Sequence, residues 1–549
     1  MGYMKLLALG FTLATSVFSL HCSPSVFQSI LPSNAWVTFA YELSQNATFH
    51  VPTTNIAYPV SPTSLRKSCV VEVKVASSAA SSFSFGLFLP QEWNQRFLMV
   101  GNGGFAGGIN WMDMGAGLGY GFAVVSTNTG HNSTALDVTW ALNQPQMKID
   151  FGYRAVHGSA RLARSLIQHW YGQAPNFSYY SGCSTGGRQG LIEAQMFPED
   201  FDGILVGAAA WWTSHLHPWT LKLGLLNLPT TAPHHIPVNL FATIEAEVNK
   251  QCDPQDGVVD GIISDPLGCV FNAAALLCKD NLQQQGKKND TWCLSKAQLQ
   301  TLSKIYSPYY ETNSTFVFPG LLLGSEALWH YFLGESEPTS LGTQYIQDMV
   351  LDKPGWNFYD FNFSVVELAE KLDPGNCTAD NYDLSPFQKR GGKLLMYHGL
   401  ADGQVPVTSS TYFHKKVQEA LVPKSINVNH FFRLFLIPGM QHCAGASNAP
   451  WYIAGPNQAG LLDTSLHSVP GFCDAKHDAL VALMNWVEHD HAPEAIIATK
   501  WHNDTLRDRV FRQRPICPYP QQAKYIGHGD LNEASNWKCQ GHARFYDQS

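Results

Sequence analysis

Short apolar runs, separated by glycine- and proline-rich turns, set the rhythm of the N-terminal part of the chain. Cys69 to Val75 and Phe83 to Leu89 alternate apolar and polar side chains, the period-two pattern of half-buried strands. Arg96 to Val100 and Phe122 to Ser126 are continuous apolar runs, as expected of strands covered on both faces. From Tyr153 to Trp170 the period changes: Val156, Leu162, Leu166 and Ile167 fall on or near one face of a helix. A strand at Phe177–Ser181, a helix at Gly187–Met196 and a strand at Gly203–Val206 follow. Strand and helix in alternation predict an α/β fold with a parallel sheet covered on both faces.

That rhythm breaks after Trp211-Trp212. Residues 213–385 carry clustered cysteines, an aspartate-rich loop and many proline turns; strands and helices then resume at Lys393–Tyr397, Phe431–Ile437 and Asp478–Glu488. The pattern predicts a sheet domain made of residues 20–212 and 386–549, interrupted by an inserted lid at 213–385. No repeat of fixed period is present.

The extreme N-terminus adds a compartment. Lys5 precedes an apolar run from Leu6 to Leu20 that is too short to span a bilayer, with an acceptable cleavage site at Val17-Phe18-Ser19. Residues 1–19 are therefore expected to be a signal peptide, and no later stretch reads as a membrane helix. Secretion agrees with the 12 cysteines, an even number in an oxidising route. It also agrees with glycosylation sequons at Asn46, Asn132, Asn176, Asn289, Asn313, Asn362, Asn376 and Asn503, of which any buried in the fold would go unused. The net charge of −8 leaves no basic footprint and argues against a nucleic-acid partner.

Gly182-Cys183-Ser184-Thr185-Gly186 fits G-x-S-x-G, the sharp strand-to-helix turn that presents a nucleophilic serine. The motif alone is weak, but here a strand ends just before it and a helix begins just after. A serine hydroxyl needs a base to take its proton and an acid to orient that base. In hydrolases of this architecture the chain order is serine, acid, histidine, with the last two on loops after strands. Asp402 and His442 stand after the strands at 393–397 and 431–437, although 21 histidines and 43 acidic residues offer chance candidates too. The amide of Thr185 is the usual first oxyanion donor. The second is expected from the turn Gly101-Asn102-Gly103-Gly104, where Gly104 is the first choice and Gly103 the next. A phosphate cradle fits this turn poorly, because no Lys-Ser/Thr follows it. Within Asp253-Pro254-Gln255-Asp256-Gly257-Val258-Val259-Asp260-Gly261-Ile262, three carboxylates in one tight loop call for a hard cation, and no glutamate closes the loop as an EF-hand requires.

Gly101–Gly104, Gly182 to Gly190, Asp200-Phe201-Asp202-Gly203, His398 to Asp402 and Pro438 to Cys443 together resemble the fungal tannase and feruloyl esterase family. The resemblance covers nearly the whole chain after residue 19. It implies an α/β-hydrolase fold with a large inserted lid, a Ser184–Asp402–His442 triad, and a Cys183–Cys443 disulfide joining the serine and histidine loops. It implies structural calcium held by Asp253, Asp256, Asp260 and the carbonyls of Val258 and Ile262. It also implies the pairs Cys22–Cys69, Cys252–Cys269, Cys278–Cys293 and Cys517–Cys539; Cys377 and Cys473 then pair by elimination. The expected reaction is hydrolysis of small or polysaccharide-linked aromatic esters. The motifs look closer to the feruloyl esterase branch, with gallate esters as the second substrate class. A tailoring esterase for a secreted metabolite and a hydrolase that has lost catalysis and only binds remain alternatives.

Overall fold

The computed structural model describes residues 21–278 and 292–541, so the signal-peptide expectation and the sequon at Asn289 lie outside it. Its centre is a nine-stranded sheet in the order β1-β2-β3-β5-β4-β6-β7-β10-β11. The strands are β1 (Ala35–Leu43), β2 (Ser68–Ala76), β3 (Ser82–Pro90), β4 (Arg96–Val100), β5 (Ala123–Thr127), β6 (Phe177–Cys183), β7 (Gly203–Gly207), β10 (Lys393–Gly399) and β11 (Phe432–Ile437). β8 (Tyr309–Tyr310) and β9 (Phe316–Phe318) form a small separate hairpin. β12 (Ile496–Trp501) with β13 (Val510–Ile516), and β14 (Gln522–Tyr525) with β15 (Trp537–Gln540), form two more near the C-terminus.

The sheet is mixed, which corrects the expectation of a parallel one. β1, β2, β3 and β5 pair antiparallel; β5, β4, β6, β7, β10 and β11 are parallel. The link from β2 to β3 is only residues 77–81, too short for the crossover that parallel pairing needs. In the parallel part the strands are buried on both faces, hence the apolar runs of β4, β7 and β10. Phe97 and Met99 of β4 join one core with Leu166, Leu191 and Met396, whereas Leu98 and Val100 join the other with Met114, Leu395 and Trp486. The helices Ala155–Tyr171 and Thr185–Met196 cover the first face, and Trp111–Gly119 and Ala479–His489 cover the second.

Between Thr213 and Ser385 the chain leaves the sheet and builds its own apolar cluster around Trp219, Ile244, Ile305, Phe318 and Trp329. A further cluster packs Tyr345, Ile346 and Trp356 of this segment against Phe105 and Phe151 of the sheet domain. Among the described residues no helix is long and apolar enough to cross a membrane. The seven described sequon asparagines are all exposed, so burial disqualifies none of them.

Candidate active site

Ser184 stands where β6 gives way to the helix Thr185–Met196, with backbone angles φ 61° and ψ −121°. A residue with a side chain held there stores about 1–3 kcal/mol of strain, so the surroundings must enforce it. The Ser184 N–H donates to the Gly207 carbonyl (2.9 Å), and the Ala210 N–H donates to the Ser184 carbonyl (3.0 Å), clamping the turn to the end of β7. Glycine is required beside it: a Cβ on Gly187 would lie 2.7 Å from the Gly207 oxygen.

Asp402 follows β10 and His442 follows β11. Because β6, β10 and β11 run parallel, their C-terminal ends bring all three side chains to one edge of the sheet. His442 Nδ1 lies 2.7 Å from Asp402 Oδ2. The same oxygen meets His398 Nε2 at 2.9 Å, and Oδ1 accepts the N–H groups of Gln404 (2.8 Å) and Val405 (2.9 Å). His398 Nε2 also faces the Val405 carbonyl at 2.9 Å, so this nitrogen carries the proton and Nδ1 accepts the Ser410 hydroxyl at 2.7 Å. Burial works to raise the Asp402 pKa. The His442 charge and the hydrogen bonds from both histidines outweigh it and hold the carboxyl well below the usual carboxylate range. Asp402 is thus a fixed negative charge at neutral pH.

The disulfide Cys183–Cys443, with Cα atoms 5.9 Å apart, joins the residue before Ser184 to the residue after His442. The turn after β4 lies alongside the elbow. Gly101 N–H donates to the Ser181 carbonyl (3.0 Å), Asn102 N–H to Gln189 Oε1 (3.1 Å) and Gly103 N–H to the Tyr58 hydroxyl (2.8 Å). Farther on, Phe105, Ala106 and Gly107 donate to the carbonyls of Ala135, Gly103 and Ser133. Within Gly101–Gly107, Gly104 alone has no acceptor among the described residues. Thr185 opens its helix, where amides have no partner inside the helix. Sequence reasoning assigned no role to Tyr58, Gln189 or His398. Gln189 and His398 lie inside recognisable motifs, but Tyr58 reaches the turn from a remote loop and carries no local signal.

Four further disulfides join Cys22 to Cys69, Cys252 to Cys269, Cys278 to Cys293 and Cys517 to Cys539. The pairing of Cys377 with Cys473 is wrong: both are free thiols, the first buried and the second exposed. Cys377 is walled in beside Arg188 and Thr213, which donate to its carbonyl, while Cys473 lies on a surface turn. Burial pushes the Cys377 thiol up to about 12, so it remains protonated.

In the aspartate loop, Asp253 Oδ1 accepts the N–H groups of Asp260, Gly261 and Ile262 at 3.0–3.2 Å. Asp256 accepts those of Val258 (3.0 Å) and Ser264 (3.1 Å), and Asp260 pairs with Arg514 and, at 3.7 Å, Arg512. Burial, with the Asp260 charge adding to it, raises the Asp256 pKa. Of the three carboxylates gathered here only Asp260 is paired with arginine, and the side-chain donors are all oxygen, which fits a hard cation. Gly261 and Ile262 line a cavity together with Leu400, Ala401, Gly439 and Gln441, next to the loops of Asp402 and His442.

A trio that sequence reasoning did not single out is His157, Glu193 and Asp200, whose ligand atoms all lie within 4.8 Å of one another. Asp200 is already engaged, by His157 Nδ1 at 2.6 Å and by Arg164.

A strand-borne elbow serine with an acid and a histidine on loops after later parallel strands is the layout of an α/β-hydrolase. Residues 68–540 match the family described as tannase and feruloyl esterase. The chain is 32% identical over 494 residues to the probable feruloyl esterase B-1 of Aspergillus flavus, covering 88% of this chain and 90% of that protein. The crystal structure of an esterase from Aspergillus oryzae matches with TM-score 0.86 and 31% identity, over 94% of this chain and all of that one (100%). Feruloyl esterase B from the same organism gives 0.85 and 30%, with coverage of 94% and 100%. The chain belongs to the tannase and feruloyl esterase family of carboxylic ester hydrolases.

Proposed function

We propose that this chain is a secreted feruloyl esterase that frees hydroxycinnamic acids from small or polysaccharide-linked esters. The observation that carries the reading is the Asp402–His442 hydrogen bond, together with the Cys183–Cys443 disulfide that joins the residue before Ser184 to the residue after His442. Ser184 Oγ attacks the ester carbonyl as His442 takes its proton, while Asp402 holds the imidazole and offsets its charge. The oxyanion is received by the amides of Thr185 and Gly104. On collapse the C–O bond to the alcohol breaks, and the alcohol leaves with the proton from His442. Water, deprotonated by the same histidine, attacks the acyl-serine, and the acid departs as Ser184 regains its proton.

Five disulfides and seven exposed sequons support secretion with glycans at Asn46, Asn132, Asn176, Asn313, Asn362, Asn376 and Asn503. Calcium in the aspartate loop, bound by Asp253, Asp256, Asp260 and the carbonyls of Val258 and Ile262, would supply charge balance and stiffen the segment 213–385, with no part in the chemistry. The relatives named feruloyl esterase B support the substrate class. A hydrolysis panel of methyl ferulate, caffeate, coumarate, sinapate and gallate tests it. A ferulate or caffeate ester is expected to give the highest kcat/KM. Gallate ahead by about tenfold, a difference of about 1.4 kcal/mol in transition-state binding, would make the enzyme a tannase.

A further inference from the structure

An oxyanion hole works only if its donors are fixed before the charge develops. The turn after β4 is poorly suited to that by itself. A Cβ placed on Gly103 would meet nothing within 4 Å, so no neighbour packs on that side of the residue; its carbonyl accepts the Ala106 N–H at 3.1 Å, and glycine adds its own backbone freedom. Gly104 is held at φ 54°, against the Ala135 carbonyl. Rotation of the peptide plane before Gly103 would free its amide and change the direction of the Gly104 amide that follows it.

The contact that opposes this rotation is the Gly103 N–H to Tyr58 hydroxyl bond, at 2.8 Å. Tyr58 comes from a segment outside the sheet that is itself pinned to the far end of the same glycine-rich stretch, through Asn55 Nδ2 to the Ile109 carbonyl at 2.7 Å. Burial drives the phenol pKa upward, so the hydroxyl stays neutral and remains a constant acceptor. On the opposite side, Gln189 Oε1 takes the Asn102 N–H and its Nε2 donates to Asn102 Oδ1 at 3.3 Å, tying the turn to the elbow helix.

We infer that Tyr58 is a positioning residue of the oxyanion turn: by engaging the Gly103 amide it leaves Gly104 as the single free donor and fixes its direction. This rests on the ester-hydrolase reading above. It makes Tyr58 part of the machinery for every ester the enzyme cleaves, independent of the acyl group.

The test is Tyr58→Phe, which deletes one oxygen. Loss of an oxyanion donor costs roughly 10²–10³ in kcat, and a misaligned donor should cost about ten- to a hundredfold. That drop is expected for methyl ferulate and methyl caffeate alike, with KM within about twofold and Tm little changed. Affinity for an aryl boronic acid, whose serine adduct carries the tetrahedral oxygen, should fall by a similar factor while affinity for free ferulate holds. Unchanged kcat and boronate affinity would overturn the inference, as would parallel loss of boronate and ferulate binding with a lowered Tm. Ser184→Ala serves as the separate control: turnover surviving in that variant refutes Ser184 as the nucleophile that the oxyanion turn serves, whatever Tyr58→Phe does.

Discussion

Replacing Cys183 and Cys443 together with alanine should cost more activity than its effect on folding explains. The bond spans 260 residues of sequence. Chain entropy alone puts its stabilisation at up to about 5–6 kcal/mol, less what the shorter disulfides inside that loop already remove. A second term is local. Cys443 sits at φ 62° and Ser184, next to Cys183, at φ 61°. Two such residues store about 1–3 kcal/mol each, and the bond between their loops helps hold them there. If the histidine loop relaxes by that amount, the share of molecules with His442 docked on Asp402 falls about 5- to 150-fold. The assay is kcat on methyl ferulate well below the melting transition, beside calorimetric Tm. A lowered Tm with kcat within twofold of wild type would show that the bond only staples the fold. Peptide mapping that finds Cys183 as a free thiol in active enzyme would remove the premise.

Asn at both Asp256 and Asp260 should lower Tm and abolish the rise in Tm that added calcium gives the wild type; wild type that carries no calcium by elemental analysis and ignores chelator would refute the site. Glu193 is buried with both oxygens lacking a donor, and burial first, the Asp200 charge second, raise its pKa well above 4.5. Above about pH 4.5 the native state then holds a proton that the unfolded chain has lost, so stability falls as pH rises toward the folded pKa. Glu193→Gln should flatten that decline, with its Tm gaining on wild type as pH rises above about 5; parallel Tm profiles would refute the assignment.

What could be read from the sequence was what local rules govern. The buried strands β4, β7 and β10 announce themselves as apolar runs because both faces are covered, and the elbow carries its glycines beside it. β1 was missed because it is an edge strand with exposed Trp36 and Tyr41, which blur its alternation. The mixed pairing followed from a short link rather than from side-chain pattern. Tyr58 acts through a single long-range hydrogen bond, and no spacing encodes it. His398 shares Asp402 with His442 only after β10 has turned both groups inward. The two free thiols show that an even cysteine count does not oblige every cysteine to pair, since Cys377 is sealed off by the fold.

The central claim is that Ser184 is the nucleophile of an ester hydrolase. The most direct measurement is the turnover of methyl ferulate by purified Ser184→Ala, with its native Tm checked. Removing a triad member leaves the binding groups in place but takes away the attacking oxygen, so kcat should fall by about a thousandfold or more. A folded variant that keeps more than about a tenth of wild-type kcat would contradict the account.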